Sequence, residues 1–213
     1  AEKLGRRTDV SLAIHSDIKE LIKQLLPKLN GNRSDAFLKG KLKKHAKLMN
    51  APVGSYTRNA EKLKPIHPEY AAHVLNEVAA KDAVFTADTG MCNVWTARYI
   101  DPLGTRRLIG SFLHGSMANA LPHAIGAQVA YPGRQVISVS GDGGLSMLLG
   151  ELVTARMYDL PINVVVFNNS TLGMVKLEML VNGLPDFGTN VHDVNYAKIA
   201  EAAGFHAQRV DDP

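Results

Sequence analysis

The sequence predicts an α/β fold, a three-layer sandwich around a mainly parallel sheet. From about residue 66 onward, short β-branched runs alternate with amphipathic stretches, the pattern of a sheet covered by helices. Within it, residues 135–140 read as a buried strand. Residues 145–158 read as a helix, with Leu145, Leu148, Leu149, Leu152 and Val153 at spacings of three and four, and 162–167 as a second strand after Pro161. Strand, helix, strand with short connections is a βαβ unit. Its right-handed crossover sets the strands parallel and brings the residues after each strand to one carboxyl edge. At 213 residues and 46% hydrophobic content, the chain can bury one sizeable domain with material left over.

The other elements follow in order. Helices are expected over 17–26 and 34–49, then a linker to residue 65. His67-Pro68-Glu69 opens a helix to about Ala80, with Pro68 suited to its first position and Val74, Leu75 and Val78 along one side. Residues 83–87 form a strand, 93–100 a helix and 107–111 another strand. An Ala-rich helix spans 117–130, with Pro122 in its first turn or at a bend. After Asn169 come a short helix to about Leu180, a loop containing Gly183, Pro185 and Gly188, a helix over 194–203 and a strand over 206–210.

Charge divides the chain: residues 1–64 carry 15 Lys/Arg against 6 Asp/Glu, net +9, and residues 65–213 carry 9 against 14, net −5, giving +4 overall. The lysines at 39, 41, 43, 44 and 47 read as a solvated linker helix, because no aromatic residues interleave them and no nucleic-acid motif accompanies them. The single cysteine, Cys92, excludes an intramolecular disulfide and suits a reducing compartment. No apolar stretch reaches the roughly 18 residues of a membrane span, and no P-loop, complete GxGxxG or HExxH motif is present.

Gly141-Asp142-Gly143-Gly144 closes the first strand of the βαβ unit and Asn168-Asn169 closes the second. Open α/β sheets bind ligands at that edge. A carboxylate and an amide carbonyl are hard oxygen donors suited to Mg²⁺, which takes one or two protein carboxylates and completes its octahedron with phosphate oxygens and water. Gly143 and Gly144 lead into a helix N-terminus, which favours an anion. Either motif alone reads as a surface turn; the pair, each after a strand, points to a metal-diphosphate cofactor.

These motifs resemble the signature of thiamine-diphosphate enzymes. The flanking segments resemble the pyruvate oxidase branch, especially its quinone-linked bacterial pyruvate dehydrogenases. They are Asp88-Thr89-Gly90, Val94-Trp95-Thr96-Ala97-Arg98-Tyr99, Gly110-Ser111-Phe112-Leu113-His114-Gly115-Ser116-Met117-Ala118-Asn119-Ala120, Asn168-Asn169-Ser170-Thr171-Leu172-Gly173 and His192-Asp193. The resemblance implies a thiamine-diphosphate-binding fold in which Asp142, the side chain of Asn169 and the main-chain carbonyl of Thr171 hold Mg²⁺. It implies that Gly143, Gly144, Ser170, Thr171, Leu172 and Gly173 line the diphosphate, and that Gly115, Ser116 and Met117 contact the rings, with Met117 as the wedge that bends the cofactor. Bending brings the aminopyrimidine nitrogen to the thiazolium carbon that attacks the keto carbon of pyruvate; the ring takes up the electrons released by decarboxylation, and a flavin oxidises the product. Outside that context Met117 reads as a helix-core methionine. His114 is a candidate for steering the substrate carboxylate, or a hydrogen-bonded structural histidine. Glu178 is a candidate substrate contact, or a solvated helix glutamate.

Enzymes of this kind resemble three α/β domains in series. On that pattern residues 1–50 are the tail of a central FAD-binding-type domain, 51–65 a linker, and 66–213 the diphosphate-binding domain lacking its last strand and helix. The activating glutamate belongs to the first domain and is supplied across a subunit interface. The resemblance further implies FAD, pyruvate or another 2-keto acid as substrate, a quinone acceptor, a homodimer or homotetramer and no nucleic acid. It implies a cytoplasmic location with peripheral attachment at the inner face of the cell membrane. Acetolactate synthase or another 2-keto acid decarboxylase is the alternative activity, and a catalytically inactive cofactor-binding fragment is the alternative class.

Overall fold

The computed structural model describes residues 3–29, 31, 34–50, 59–102 and 104–213. They divide into two compact units, Ala1–Lys47 and Leu48–Pro213. In the first, the Asp17 side chain accepts from the N–H groups of Lys19 and Glu20 at 2.9 and 3.2 Å and starts α1 (Ile18–Leu25). A single 3₁₀ turn with Pro27 follows at Leu26–Lys28, and then α2 (Ala36–Asn50). Both helices lie where the sequence places them. The expected linker at 51–65 falls largely outside the described residues, which resume at Asn59.

The second unit is built on four parallel strands in the order β2-β1-β3-β4: β1 (Val84–Ala87), β2 (Arg107–Gly110), β3 (Val136–Gly141) and β4 (Ile162–Phe167). Val84 pairs with Arg107 on one side and Val136 on the other, and Gly141 pairs with Phe167 at the carboxyl edge. β1 and β3 are buried on both faces, so they read as continuous apolar and small residues. Val84 and Val136 face α5 (Ala120–Ala130), packing with Leu121, Ala124 and Ala127. Phe85, Ile137 and Val139 face α3 (Pro68–Val78) and α4 (Met91–Tyr99), packing with Ala79, Cys92 and Ile100. Each of the Val, Leu, Ile and Phe side chains among them contributes about 1.5–3 kcal/mol on full burial. The result is the expected three-layer α/β sandwich.

Details differ from the expectation for physical reasons. α3 starts with Pro68 as expected, but Glu69 and Ala72 are its buried positions, while Val74 and Val78 are 37% and 71% exposed. Its C-terminal end is fixed by Arg106, whose guanidinium donates to the carbonyls of Asn76, Ala79 and Ala80. The Ala-rich helix begins at Ala120 rather than 117, which puts Pro122 in its first turn and leaves Met117 in a turn before it. The helix expected over 145–158 is two helices, α6 (Asp142–Met147) and α7 (Glu151–Met157). Between them the N–H groups of 151, 152 and 153 each reach back three residues, and Gly150, about 1 kcal/mol worse than Ala inside a helix, lets the axis turn there. α8 (Gly173–Val181) and α9 (Tyr196–Ala202) match their expected positions. Residues 206–210 alternate between half-buried and exposed at 206–208 but join no ladder among the described residues, so the expected strand does not form there.

Candidate cofactor site

Sheet order sets the location. From β1 the chain moves outward to β2, whereas from β3 it moves outward to β4 on the opposite side. The crevice at such a switch point, outside the carboxyl ends of the strands, is where α/β sheets take ligands. Asp88 follows β1 and Asp142 follows β3, so two carboxylates flank this crevice, 1% and 2% exposed.

Asp142 opens α6 directly from the strand. Burial pushes its pKa up, opposed by the N–H groups of Gly143, Ser170 and Asn169 that approach the carboxylate. The strand register therefore brings Asp142 and the Asn168-Asn169 loop together across the β3–β4 edge, as the spacing predicted. Its Oδ2 is buried without a hydrogen-bond partner, and its carbonyl accepts from the Tyr196 hydroxyl at 3.2 Å. A buried acceptor left open at a sheet edge is where a cation fits. Among the described residues no three His, Cys, Asp or Glu side chains cluster to hold a metal. A divalent ion here would have a single carboxylate and neutral oxygens, a set suited to Mg²⁺ carrying phosphate.

The Asn-Asn loop folds on its own amides. Asn168 accepts from Ser170 N and donates to Asp193 and to the Val194 carbonyl, tying the loop to the segment before α9. Asn169 Oδ1 accepts from Thr171 N at 3.2 Å, leaving that oxygen a second lone pair. The Thr171 carbonyl accepts from Gly173 N at 2.9 Å and likewise keeps one lone pair. Ser170 sits at φ 53°, a conformation that a non-glycine residue holds only under constraint. The glycines serve close approach: a Cβ on Gly143 would stand 2.6 Å from Leu172 Cδ2, and one on Gly173 would stand 3.2 Å from Met91 Cγ and 3.3 Å from Asn169 Nδ2.

The turn before α5 completes the edge. Gly115 has φ +75°, Ser116 N donates to Ser111 Oγ at 3.1 Å, and Met117 is half-buried with its methyl 3.5 Å from where a Cβ on Gly143 would lie. Met117 thus lies against the Gly143 turn, outside α5, and is not a helix-core methionine. His114 is exposed in the preceding turn and Glu178 is exposed on α8, so neither is gathered into the buried part of the site.

The donor set and the crevice fit a thiamine-diphosphate cofactor, and the comparisons decide the family. Residues 88–213 match the family described as thiamine pyrophosphate enzyme, C-terminal TPP binding domain. The chain belongs to this family. Over 144 residues, 68% of this chain and 25% of the relative, the domain is 42% identical to YdaP of Bacillus subtilis. It is 30% identical to the pyruvate oxidase of Lactiplantibacillus plantarum over 98% of this chain and 34% of the relative. It is 33% identical to the acetolactate synthase large subunit of Lactococcus lactis over 100% of this chain and 36% of the relative. The chain spans between 25% and 36% of the length of these three relatives.

Reading the sequence alone gave Asp88, Asn119 and Tyr196 no role in this TPP-binding domain. Asp88 had a visible signal: Asp88-Thr89-Gly90 follows β1 as Asp142-Gly143-Gly144 follows β3. The Tyr196 contact to Asp142, across 54 positions, left no local trace.

Proposed function

We propose that the chain is the thiamine-diphosphate- and Mg²⁺-binding part of an enzyme that oxidatively decarboxylates pyruvate to acetate, passing electrons through FAD to a quinone. The observation that carries the cofactor part is the open, buried Oδ2 of Asp142 beside the Asn169 loop at the switch point. Similarity to a pyruvate oxidase over 98% of the chain supports the oxidase part. When bound, thiamine diphosphate supplies the carbon nucleophile and electron sink for decarboxylating a 2-keto acid. This chain's residues hold and orient it. Asp142, Asn169 and the Thr171 carbonyl grip the metal, and Gly143, Gly144 and the Ser170–Gly173 loop accept the diphosphate. Gly115, Ser116 and Met117 shape the ring end, the exposed His114 is the candidate for steering the substrate carboxylate, and the exposed Glu178 is the candidate substrate contact.

On this reading residues 1–50 are the tail of a central FAD-binding-type domain, 51–65 a linker and 66–213 the diphosphate-binding domain of a homodimer or homotetramer. The enzyme is cytoplasmic and attaches peripherally to the inner face of the cell membrane. Acetolactate synthase activity is the second reading, supported by 33% identity over the whole chain to such a subunit. The full-length protein, given pyruvate, thiamine diphosphate and Mg²⁺, separates the two. Quinone reduction coupled to acetate supports the oxidase, and acetolactate without acceptor reduction refutes it in favour of the synthase.

A further inference from the structure

Asp88 is the second buried carboxylate at the switch point, and the proposed metal grip does not use it. One of its oxygens, Oδ1, accepts three N–H groups: Thr89 N at 3.0 Å, Asn119 N at 3.1 Å and Asn119 Nδ2 at 3.0 Å. Asn119 passes the tie onward, its Nδ2 donating to the Ser116 carbonyl at 2.6 Å and its Oδ1 meeting His123 Nδ1 at 2.9 Å. Between Ser116 and Asn119 stand Met117 and Ala118, and Ala118 is held at φ 63°. For an L-residue with a Cβ the left-handed conformation costs about 1–2 kcal/mol and persists only when its surroundings over-determine it. The other oxygen, Oδ2, has no hydrogen-bond partner and fills the space beside Gly144, where an added Cβ would lie 1.9 Å away. One carboxylate is thus wedged between the Met117 turn and the start of α6.

We propose that Asp88 is the positioning residue of the ring-binding turn: it holds Ala118 left-handed through Asn119, and so fixes Met117 against Gly143. The proposal rests on the thiamine-diphosphate reading above. Burial pushes the Asp88 pKa up, and the N–H groups of Asn119, Thr89 and Ala118 that converge on the carboxyl group oppose it. Three donors converging on one buried oxygen suit holding a strained turn.

The test separates the two ends of the cofactor. Apo full-length protein is titrated calorimetrically with thiamine diphosphate plus Mg²⁺, and with inorganic pyrophosphate plus Mg²⁺, which probes the diphosphate end alone. Asp88→Ala is expected to weaken thiamine diphosphate about tenfold or more, the equivalent of 1.4 kcal/mol, and to leave pyrophosphate within about threefold. Asp88→Asn, which keeps one acceptor oxygen for the same donors, restores most of the loss. Should Asp88→Ala fail to fold, Asn119→Ala decides: it removes the tie to Ser116 while leaving the carboxylate in place, and is expected to show the same selectivity at about threefold. Equal losses for both ligands, or none, in the folded variants overturn the proposal while leaving the cofactor reading intact. A wild-type protein that binds neither ligand overturns both.

Discussion

Gly144→Ala tests the packing at the switch point by adding a single methyl group. The new Cβ would stand 1.9 Å from Asp88 Oδ2 and 2.8 Å from its Cγ, about 1.5 Å inside the 3.4 Å at which ordinary contact begins. Gly144 is buried and begins no left-handed turn, so the cost is one of space alone. The carboxylate cannot retreat freely, because Oδ1 is held at 3.0–3.1 Å by Thr89 and Asn119. Either α6 shifts, at the about 1–3 kcal/mol typical of overpacking, or the carboxylate gives up bonds worth about 1.5–3 kcal/mol each. A loss of about 2–5 kcal/mol corresponds to a fall in Tm of about 4–20 °C for a domain of this size. Circular dichroism melts of the apo protein read it. The double variant Asp88→Ala/Gly144→Ala removes the obstacle, so it should melt no lower than Asp88→Ala, a coupling of at least about 1 kcal/mol. A single-variant Tm within about 2 °C of wild type, or strict additivity in the double variant, would refute this account of the crevice.

Asp142→Asn is expected to weaken Mg²⁺-dependent thiamine diphosphate binding at least about tenfold by calorimetry, since it removes the only carboxylate of the proposed metal grip. The same change should raise the apo Tm: burial raises the Asp142 pKa, so the folded state disfavours its charge at neutral pH, and the gain should fade as acidification protonates the wild-type carboxylate. Cys92 is buried and its thiol is pushed up to about 12 by burial and by Asp88, so thiol reagents at pH 8 should label it only on unfolding. Because that folded value lies above the ordinary thiol range, its contribution to stability is present below about pH 8.5 and is lost as pH rises toward 12, which pH-dependent denaturant melts would detect. The 213-residue chain alone, supplied with pyruvate, thiamine diphosphate and Mg²⁺, should release carbon dioxide at least about 100-fold more slowly than the full-length enzyme, the lower end of what acid-base assistance contributes. A rate within about tenfold of the full-length enzyme would contradict the two-domain account of the site.

The parts of the fold that were legible in the sequence are those decided within a few neighbouring residues. The β4 boundaries, Ile162–Phe167, agree to the residue, because Pro161 and Asn168 punctuate an unbroken apolar run. The Asp142–Asn169 juxtaposition was legible in the βαβ pattern, since parallel strands of one sheet put both strand ends at the same edge, and the β3–β4 ladder makes the two strands neighbours. What failed was decided by tertiary partners. A leucine periodicity continuous through 145–158 concealed a break, because Gly150 tolerates continuation as well as a turn and the sequence does not say which packing wins. The apolar side of α3 was misjudged: Glu69 and Ala72 are its buried positions while Val74 and Val78 are exposed, and Arg106, from beyond β1, holds the helix end through the Asn76 and Ala79 carbonyls.

The same contrast separates the two carboxylates. Asp142 was legible because its neighbours are glycines and its partner loop repeats a polar amide, so its chemistry is written in a short stretch. The role of Asp88 lies in a hydrogen-bond set that spans 31 positions to Asn119 and in a contact with Gly144 on another strand's helix. From the sequence alone, Gly144 reads as part of the lead into a helix N-terminus. In the fold its φ is unremarkable, and it is required because Asp88 Oδ2 occupies the place of its missing side chain. Glycine at 144 and aspartate at 88 are therefore a coupled pair: a larger residue at 144 requires a smaller one at 88, which would in turn release Ala118. The packing at Gly144 and the conformation of the Met117 turn are thereby constrained by one carboxylate.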